Sequence, residues 1–288
     1  MGEGATDTNG VAYTLRAAYK RSGEVVTYSG ELPITTEAKT QIPNSGFDDW
    51  YTDSKEQWSV GLFKNIKWFF YYPFQQGDEG HWWSTNNERA QAWTVAPVYV
   101  TTCPAVIYTY DTRTGEGKAA EIHTSGSGGE YASTSTSMYP ESAFAGSIFI
   151  GSYSWSDKSE HKSLGHSFNT RPLGLSFWYK YKPYKTDAFK VLVEVKSGET
   201  VIAAGEYVPE AYSSEDLEYQ QHTISLEYTN SLLKATSISV QFLSTNKTSF
   251  TENDLQKNGT LTLTDCADSW NAHFGSFLKI DDVELIYE

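Results

Sequence analysis

Six side chains in this sequence have the chemistry that sugar recognition requires. A sugar packs its C–H groups on a flat aromatic face, and planar amide and guanidinium groups bond its hydroxyls. The candidates are Trp82, Trp83, Asn86, Asn87, Arg171 and Trp178. Tryptophans in packed β-sheets are more often core residues, so the burial of each ring decides between a binding and a structural role.

Two acidic pairs, Asp48-Asp49 and Asp281-Asp282, have the chemistry of a cation site. Hard cations such as Ca²⁺ take several carboxylate and carbonyl oxygens. If the segments that contain them run side by side, Asp48, Asp281 and Asp282 supply such ligands. The alternative is that these residues are turn residues and charges on a strand face.

No motif identifies a catalyst or an organic cofactor. Glycoside hydrolysis needs two carboxylates about 5 to 10 Å apart, and no spacing selects a pair among the many acidic residues. The segment 115–120, GEGKAA, fits G-x-G-x-x-A but lacks a surrounding βαβ unit. HExxH, GxSxG and P-loop motifs are absent, and His161 and His166 are more typical of a solvated loop than of a metal site. An enzyme therefore stays open as an alternative, without named catalysts.

Composition narrows the class of partner. The chain has 288 residues, is 15% aromatic and has a net charge of −14, which argues against nucleic acid and anionic membranes. No apolar run approaches the roughly 20 residues of a membrane span, so we expect no transmembrane segment. Cys103 and Cys266 are the two cysteines, and their spacing leaves open a disulfide or two separate buried thiols.

The elements that must position these residues are β-strands. Leu173, Leu175, Phe177, Tyr179 and Tyr181 alternate at period 2, which predicts a strand with Trp178, Lys180 and Lys182 on its other face. Similar alternation recurs along the second half of the chain, and no helical period of comparable strength occurs. The pattern predicts an all-β fold of antiparallel sheets packed face to face.

Segment boundaries follow from the same patterns. Residues 1–42 predict a small N-terminal β segment with a turn at Ser22-Gly23, which would either pack on the main domain or form part of an immunoglobulin-like module. Residues 42–50 are interpreted as the first strand of the main domain. In 276–287 the apolar parity switches at Asp281-Asp282, which predicts a bulge.

Two further segments carry expectations of their own. The run 58–83 is so aromatic that some of its rings must be buried, while others line a groove. The run 123–137 is rich in Gly, Ser and Thr and predicts a surface loop.

Several short motifs resemble the putative carbohydrate metabolism domain family of bacterial surface proteins. They are Gly165, Phe168, Arg171, Pro172, the string 179–183 (YKYKP), 83–86 (WSTN), 118–120 (KAA) and 145–151 (AGSIFIG). The opening N-x-G-F-acid-x-W and the closing L-x-I-D-D-V-x-L are also similar to the terminal strands of jelly-roll carbohydrate-binding modules. This resemblance implies a two-sheet jelly-roll-like sandwich over 43–288, with side-by-side terminal strands that commonly hold a structural calcium ion.

The leading hypothesis is a noncatalytic glycan-binding domain of a secreted or cell-surface bacterial protein. Its expected partner is an oligo- or polysaccharide, as in polysaccharide utilisation, and its expected location is extracellular or in the cell envelope, with the intact protein anchored at the surface. A glycoside-active hydrolase is one alternative. A structural adhesin or assembly module, with exposed aromatic rings at a protein interface, is another.

Overall fold

The computed structural model describes residues 10, 12–60, 64–91, 103–126, 143–156, 159–229, 232–266 and 269–287. Within these ranges, the structure describes only the backbone of 55–60, 64–68, 91, 252, 257–260 and 269–272. Among the described residues no helix is long and apolar enough to cross a membrane.

Nineteen strands account for most of the described secondary structure, together with a short helix α1 (Glu88–Gln91) and a 3₁₀ turn (Glu252–Asp254). The strands are β1 (Ala12–Leu15), β2 (Ala18–Tyr19), β3 (Thr27–Tyr28), β4 (Leu32–Thr35), β5 (Tyr51–Val60), β6 (Lys64–Tyr72), β7 (Trp83–Thr85), β8 (Val106–Thr109), β9 (Ala119–Gly126), β10 (Ser147–Ser156), β11 (Ser159–Leu164), β12 (His166–Ser167), β13 (Gly174–Lys182), β14 (Lys190–Ser197), β15 (Thr200–Tyr207), β16 (Gln220–Ser225), β17 (Ser237–Leu243), β18 (Gln256–Thr262) and β19 (Ser269–Ile286).

Two antiparallel sheets form the main domain. Sheet I has the strand order β11-β10-β17-β14-β15, with β7 pairing β10 and β12 pairing β17. Sheet II has the order β16-β13-β19-β9-β8, with β18 pairing β19. The predicted all-β, two-sheet antiparallel sandwich is therefore confirmed.

The core lies between the two sheets, where alternate residues of each strand meet. On sheet II, Leu175 and Phe177 are both fully buried, and on sheet I the same holds for Val240 and Phe242. The rings of Phe177 and Phe242 meet edge to face across the core, with centroids 5.3 Å apart. Burial of such apolar faces drives the packing of one sheet on the other.

The predicted bulge in the last strand is present. Trp178 pairs with Asp281, whereas Ser176 pairs with Glu284. Two residues along β13 therefore correspond to three along β19, so β19 contains one extra residue. Asp282 takes a left-handed φ of 45° at this point. The bulge lets Ile280 and Val283, which differ in parity, both face the core.

The segment 42–50 is not the strand that the sequence indicated. It forms turns, with left-handed φ values at Asn44 (48°) and Phe47 (55°), and Pro43 has no N–H to donate to a ladder. It still lies beside β19, because Val283 N donates to Ser45 O at 2.9 Å. The strand begins later, at Tyr51.

The N-terminal residues 12–35 form two small two-stranded sheets, β1 with β4 and β2 with β3. Every residue of these four strands is exposed. Gly23, at the expected turn, has a φ of 83°, which favours glycine. The segment thus holds its shape by backbone pairing and has no buried side chain in its strands.

The described part of 123–137 differs from the surface loop that its composition predicted. Residues 123–126 continue β9, and His123, Thr124 and Ser125 are all buried. Their backbone groups pair with β19 and with the segment around Phe144. Small polar residues can enter a sheet when their neighbours satisfy their hydrogen bonds, so composition alone misassigned them. Residues 127–137 lie outside the described residues.

The two cysteines are separate free thiols rather than a disulfide. Cys103 is buried beside Ser125, whereas Cys266 is half-buried beside the hydroxyl of Tyr71. Burial raises the pKa of the Cys103 thiol to about 12.

Candidate functional site

The outer face of sheet II is where the sequence placed Trp178, Lys180 and Lys182, and the structure agrees. From Phe177 onward the burial pattern of β13 alternates, with Tyr179 and Tyr181 buried and Trp178 and Lys180 half-buried. Register pairs Lys180 with Lys279 and Lys182 with Phe277 on β19. The charged and aromatic side chains of two central strands therefore share one surface.

A cleft of about 210 Å³ lies on this face, and we call it the outer-face cleft. The residues that line it are Glu121, Lys180, Tyr181, Lys182, Glu215, Phe277 and Lys279. Three strands, β9, β13 and β19, form its floor, and Glu215 belongs to the segment that precedes β16. The floor is therefore a rigid hydrogen-bonded sheet, which holds side chains in place better than a loop does.

Opposite charges alternate across the cleft. Lys279 Nζ lies 2.6 Å from Asp111 Oδ2 and 3.3 Å from Glu121 Oε2. Lys180 Nζ lies 3.1 Å from the same oxygen of Asp111. At the rim, Lys182 pairs with Glu215 at 3.2 Å. The cleft thus presents ammonium donors and carboxylate acceptors side by side.

These contacts set the pKa values of the groups. Burial by itself would raise the pKa of Glu121, but the hydrogen bond from His123 and the charge of Lys279 outweigh it and lower that pKa. The pKa of Asp111 is lowered in the same way by Lys279 and Lys180. Burial alone would lower the pKa of Lys279, but the negative charges of Glu121 and Asp111 outweigh burial and raise it. All of these groups are therefore charged at neutral pH.

One aromatic ring of the cleft rests on a buried histidine. Phe277 is half-buried, and its ring centroid lies 4.6 Å from that of His123. His123 is fully buried, and its Nε2 lies 2.8 Å from Glu121 Oε1. The histidine thus supports both the ring and the carboxylate of the cleft.

Trp178 lies further along the same face, and an arginine covers one side of it. Arg113 Cζ is 4.9 Å from the centroid of the Trp178 ring. The backbone N–H of Arg113 donates to Asp281 Oδ2 at 2.9 Å, and its side chain forms an ion pair with Asp282. The bulge of β19 therefore holds the arginine against the indole.

The three predicted cation ligands lie close together but are not equivalent. Asp48 Oδ2 and Asp282 Oδ1 both approach Gly46, at 3.4 and 3.7 Å from the position that a Cβ would take. Asp281 is buried, and backbone N–H groups of Arg113 and Asp282 bond its two oxygens. Asp48 Oδ1 also accepts from Lys118 N at 2.9 Å, and Asp282 Oδ2 is paired with Arg113, so protein groups already bond one oxygen of each of these two carboxylates. No group of three or more His, Cys, Asp or Glu side chains suited to a metal occurs in the described parts of the chain.

Trp82 and Trp83, which the sequence predicted as sugar-binding residues, lie away from the outer-face cleft. Trp83 is 1% exposed, and its indole N–H donates to Pro43 O at 3.0 Å, so this ring belongs to the core and offers no face to a ligand. Trp82 is half-buried and stacks on His166, with ring centroids 4.4 Å apart. Neither ring lines the outer-face cleft.

The remaining candidates have structural contacts. Asn86 is buried and its amide bonds Ser147 N and Ala145 O. Asn87 is also buried, and it joins Tyr71 O to both backbone groups of Val106. Buried amides that bond the backbone of neighbouring segments in this way stabilise the fold.

Arg171 also lies away from the outer-face cleft. Its Nε donates to Glu37 Oε1 at 2.9 Å and so links the main domain to the segment that follows β4. The six candidates from the sequence are thus not brought together.

Sequence reasoning missed Asp111, Glu121, Phe277 and Lys279. Parity contained the signal for three of them, since Phe277 and Lys279 alternate with the buried Leu278 and Ile280. Glu121 likewise stands between buried residues of β9. Asp111 follows β8 in a loop, where no periodicity applies.

The family pattern described as the putative carbohydrate metabolism domain matches residues 46–286. No curated protein sequence matches the chain.

Solved structures with a similar course of chain include carbohydrate-binding modules. One, from the β-sandwich superfamily, has 8% identity and a TM-score of 0.32, and the match covers 95% of this chain and 86% of that one. A module in complex with β-1,4-galactotriose has 11% identity and a TM-score of 0.30, with 70% and 97% covered. A family 11 module of a cellulase from Clostridium thermocellum has 11% identity and a TM-score of 0.27, with 74% and 91% covered.

Proposed function

The chain belongs to the putative carbohydrate metabolism domain family, and on this premise we propose that it binds a glycan in the outer-face cleft without cleaving it. The observation that carries this proposal is the alternation of ammonium and carboxylate groups beside an aromatic ring on a rigid sheet. Sugar hydroxyls both donate and accept hydrogen bonds, so they match a surface that presents charges of both signs. Phe277 supplies the apolar face for C–H groups.

The charge balance of the cleft favours a neutral glycan. Three lysines, Lys180, Lys182 and Lys279, face three carboxylates, and each ammonium has an acidic partner. A charged ligand would have to compete with one of these internal pairs. Hydroxyl groups can instead bond both members of a pair without separating them.

The pKa directions support binding over hydrolysis. A glycosidase requires one carboxyl group that stays protonated at its working pH, which means a raised pKa. In the cleft, the pKa values of Asp111 and Glu121 are lowered instead. Asp281 has a pKa raised by burial, but backbone N–H groups occupy both of its oxygens.

We also propose that the protein acts outside the cell, at the bacterial envelope, which is where a glycan-binding domain meets polysaccharides. A structural calcium ion at Asp48 and Asp282 belongs to the same proposal. It would fix the turn at Gly46 against the bulge of β19 and leave the cleft unchanged.

A glycan array with the purified protein tests the main proposal, followed by analysis of products from every glycan that binds. We expect binding to one or more neutral glycans and no released product. Released sugar would identify a hydrolase. If no glycan on the array binds, the structural adhesin would be favoured.

Two variants assign binding to the cleft. Phe277→Ala should weaken binding by about 1 to 3 kcal/mol, the usual range for a central contact, and Lys182→Ala by about 1 kcal/mol, because contacts at a rim contribute less. The matched control is Lys190→Ala, since Lys190 pairs with Glu206 at 3.0 Å on sheet I, away from the cleft. Equal effects of Lys182→Ala and Lys190→Ala would contradict the assignment.

A further inference from the structure

A second cavity, of about 140 Å³, lies beside sheet I, and we call it the aromatic pocket. The lining residues that would contact a ligand through a ring or a charged or hydroxyl group are Phe70, Tyr72, Phe74, His81, Glu88 and Tyr153. They come from the aromatic run 58–83, from α1 and from the outer half of β10. The sequence predicted that rings of this run would divide between the core and a groove, and Phe70 is buried while Tyr72 and Phe74 are half-buried.

The rings of the pocket are held by stacking. Tyr72 stacks on Tyr51 with centroids 4.5 Å apart and planes 14° from parallel. Phe74 stacks on His81 at 3.6 Å and 7°. His81 is itself fixed, because its Nδ1 donates to Asp78 O at 2.7 Å. The walls of the pocket are therefore aromatic and in place before any ligand enters.

The charge of the pocket has one sign. Glu88 is the one carboxylate among the lining residues, and none of them is Lys or Arg. Its Oε2 accepts from Trp155 N at 3.0 Å, and no described residue bonds its Oε1. The guanidinium of the adjacent Arg89 lies instead over the rings of Phe144 and Trp155, at 4.9 and 5.7 Å. Within the described parts of the chain, Glu88 Oε1 thus keeps the capacity to bond a ligand.

The buried hydroxyl of Tyr153 is a further polar group of the aromatic pocket. The Tyr153 hydroxyl has no access to solvent and no hydrogen bond of normal geometry within the described structure. Burial raises the pKa of Tyr153, and the charge of the nearby Glu160 adds to the effect. Glu160 is therefore the polar neighbour of this hydroxyl, and Tyr153 is one of the residues that form the wall of the pocket.

We propose that the aromatic pocket binds the protonated amine of an amino sugar unit, a 2-amino-2-deoxyhexose. Aromatic faces attract a cation, an unpaired carboxylate completes its charge, and hydroxyls bond the rest of the ring. The sugar part of this assignment rests on the proposed glycan-binding function. The pocket is smaller than the roughly 300 to 1,000 Å³ of pockets for drug-sized ligands, which fits one sugar unit rather than a chain.

Titration calorimetry at pH 7 with three tetrasaccharides that differ at C2 tests the proposal. These are the β-1,4-linked tetramers of glucosamine, N-acetylglucosamine and glucose. The glucosamine tetramer should bind at least about tenfold more tightly than the other two, because the other two have no charge for the rings and Glu88.

Glu88→Gln is the informative variant, since an amide oxygen can still accept from Trp155 N and keep the fold. This variant should weaken binding of the glucosamine tetramer by about tenfold or more, the scale of a lost charge contact. Glu206→Gln, on β15, is the matched control and should have no effect. Equal affinity for the three tetramers, or glucosamine binding that Glu88→Gln leaves unchanged, would overturn the proposal.

Two further measurements distinguish this proposal from glycan binding in the outer-face cleft and from binding of a peptide amine. Each proposal has its own variant, since Glu88→Gln should weaken binding of the glucosamine tetramer, whereas Lys182→Ala should weaken binding of the neutral glycan in the outer-face cleft. N-acetyl-lysine methylamide carries an amine without a sugar and should bind at least about tenfold more weakly than the glucosamine tetramer, since it lacks the hydroxyls. Equal binding of the two would make the pocket a site for peptide amines and overturn the sugar assignment.

Discussion

The guanidinium group of Arg113 lies over the indole of Trp178, with its Cζ 4.9 Å from the ring centroid. The contact joins the loop after β8 to the centre of sheet II and covers part of a ring that the sequence marked as a sugar platform. Only the uncovered part of Trp178 is open to a ligand. The ring therefore contributes less surface than an unobstructed platform would.

Adjacent residues of β13 should respond in opposite ways to substitution by alanine. Phe177 is fully buried, so Phe177→Ala should cost about 3 to 5 kcal/mol of unfolding free energy through lost burial and a cavity. Trp178→Ala should cost only about 1 kcal/mol, the scale of the lost contact with Arg113, and should weaken glycan binding. Urea denaturation and glycan titration measure the two effects. If both variants lose stability equally, both faces of β13 are core and Trp178 is no part of the binding surface.

Calcium is expected to raise the melting temperature if Asp48 and Asp282 share the ion. A ligand that binds only the folded chain stabilises it by mass action. Chelator should therefore lower the melting temperature, and added calcium should restore it. Asp48→Asn should abolish this response, whereas Asp49→Asn, whose carboxylate accepts from Gln75 Nε2 at 2.8 Å, should keep it. A wild-type melting curve indifferent to both chelator and calcium would exclude the site.

The ion pairs of the outer-face cleft predict a loss of stability in acid. The pKa of Glu121 is lower in the folded chain than its usual value, so the unfolded chain takes up the proton first. The stabilisation is complete above the unfolded pKa of about 4.3 and is lost as the pH falls through the folded value. Glu121→Gln should cost about 2 kcal/mol at pH 7, because the charged contacts with His123 and Lys279 are lost while Lys279 keeps its pair with Asp111.

The difference between wild type and Glu121→Gln should therefore shrink steadily between pH 5 and pH 2. Chemical denaturation at a series of pH values measures it. Glu215→Gln is a useful comparison, since its pair with Lys182 is exposed and should cost no more than about 1 kcal/mol. A difference for Glu121→Gln that does not change with pH would contradict the lowered pKa.

The two thiols should react at different rates in the native protein. Burial raises the pKa of Cys103 to about 12 and removes it from solvent, while Cys266 is half-buried. Since the thiolate is the reactive form, a thiol reagent should label Cys266 before Cys103, and both should react at once after denaturation. Labelling of Cys266→Ser then isolates Cys103. Absence of reactive thiol in the denatured, unreduced protein would instead reveal a disulfide.

The sequence by itself determined the fold class and the inward faces of the strands. A strand sends successive side chains to opposite sides as a property of its own backbone, so Leu175, Phe177 and Tyr179 could be assigned to the core from alternation alone. The same local rule located the bulge at Asp282, because a change of parity requires an extra residue.

The composition of the candidate site was decided only in three dimensions. Asp111, Lys180 and Lys279 meet in one ion-pair network although they are far apart in the chain, and strand order and register bring them together. Residue type alone also misled at Trp83, since an indole serves a core and a sugar platform equally well. Which neighbours cover a ring depends on how the sheets pack, and that information is spread over the whole chain rather than held in any one motif.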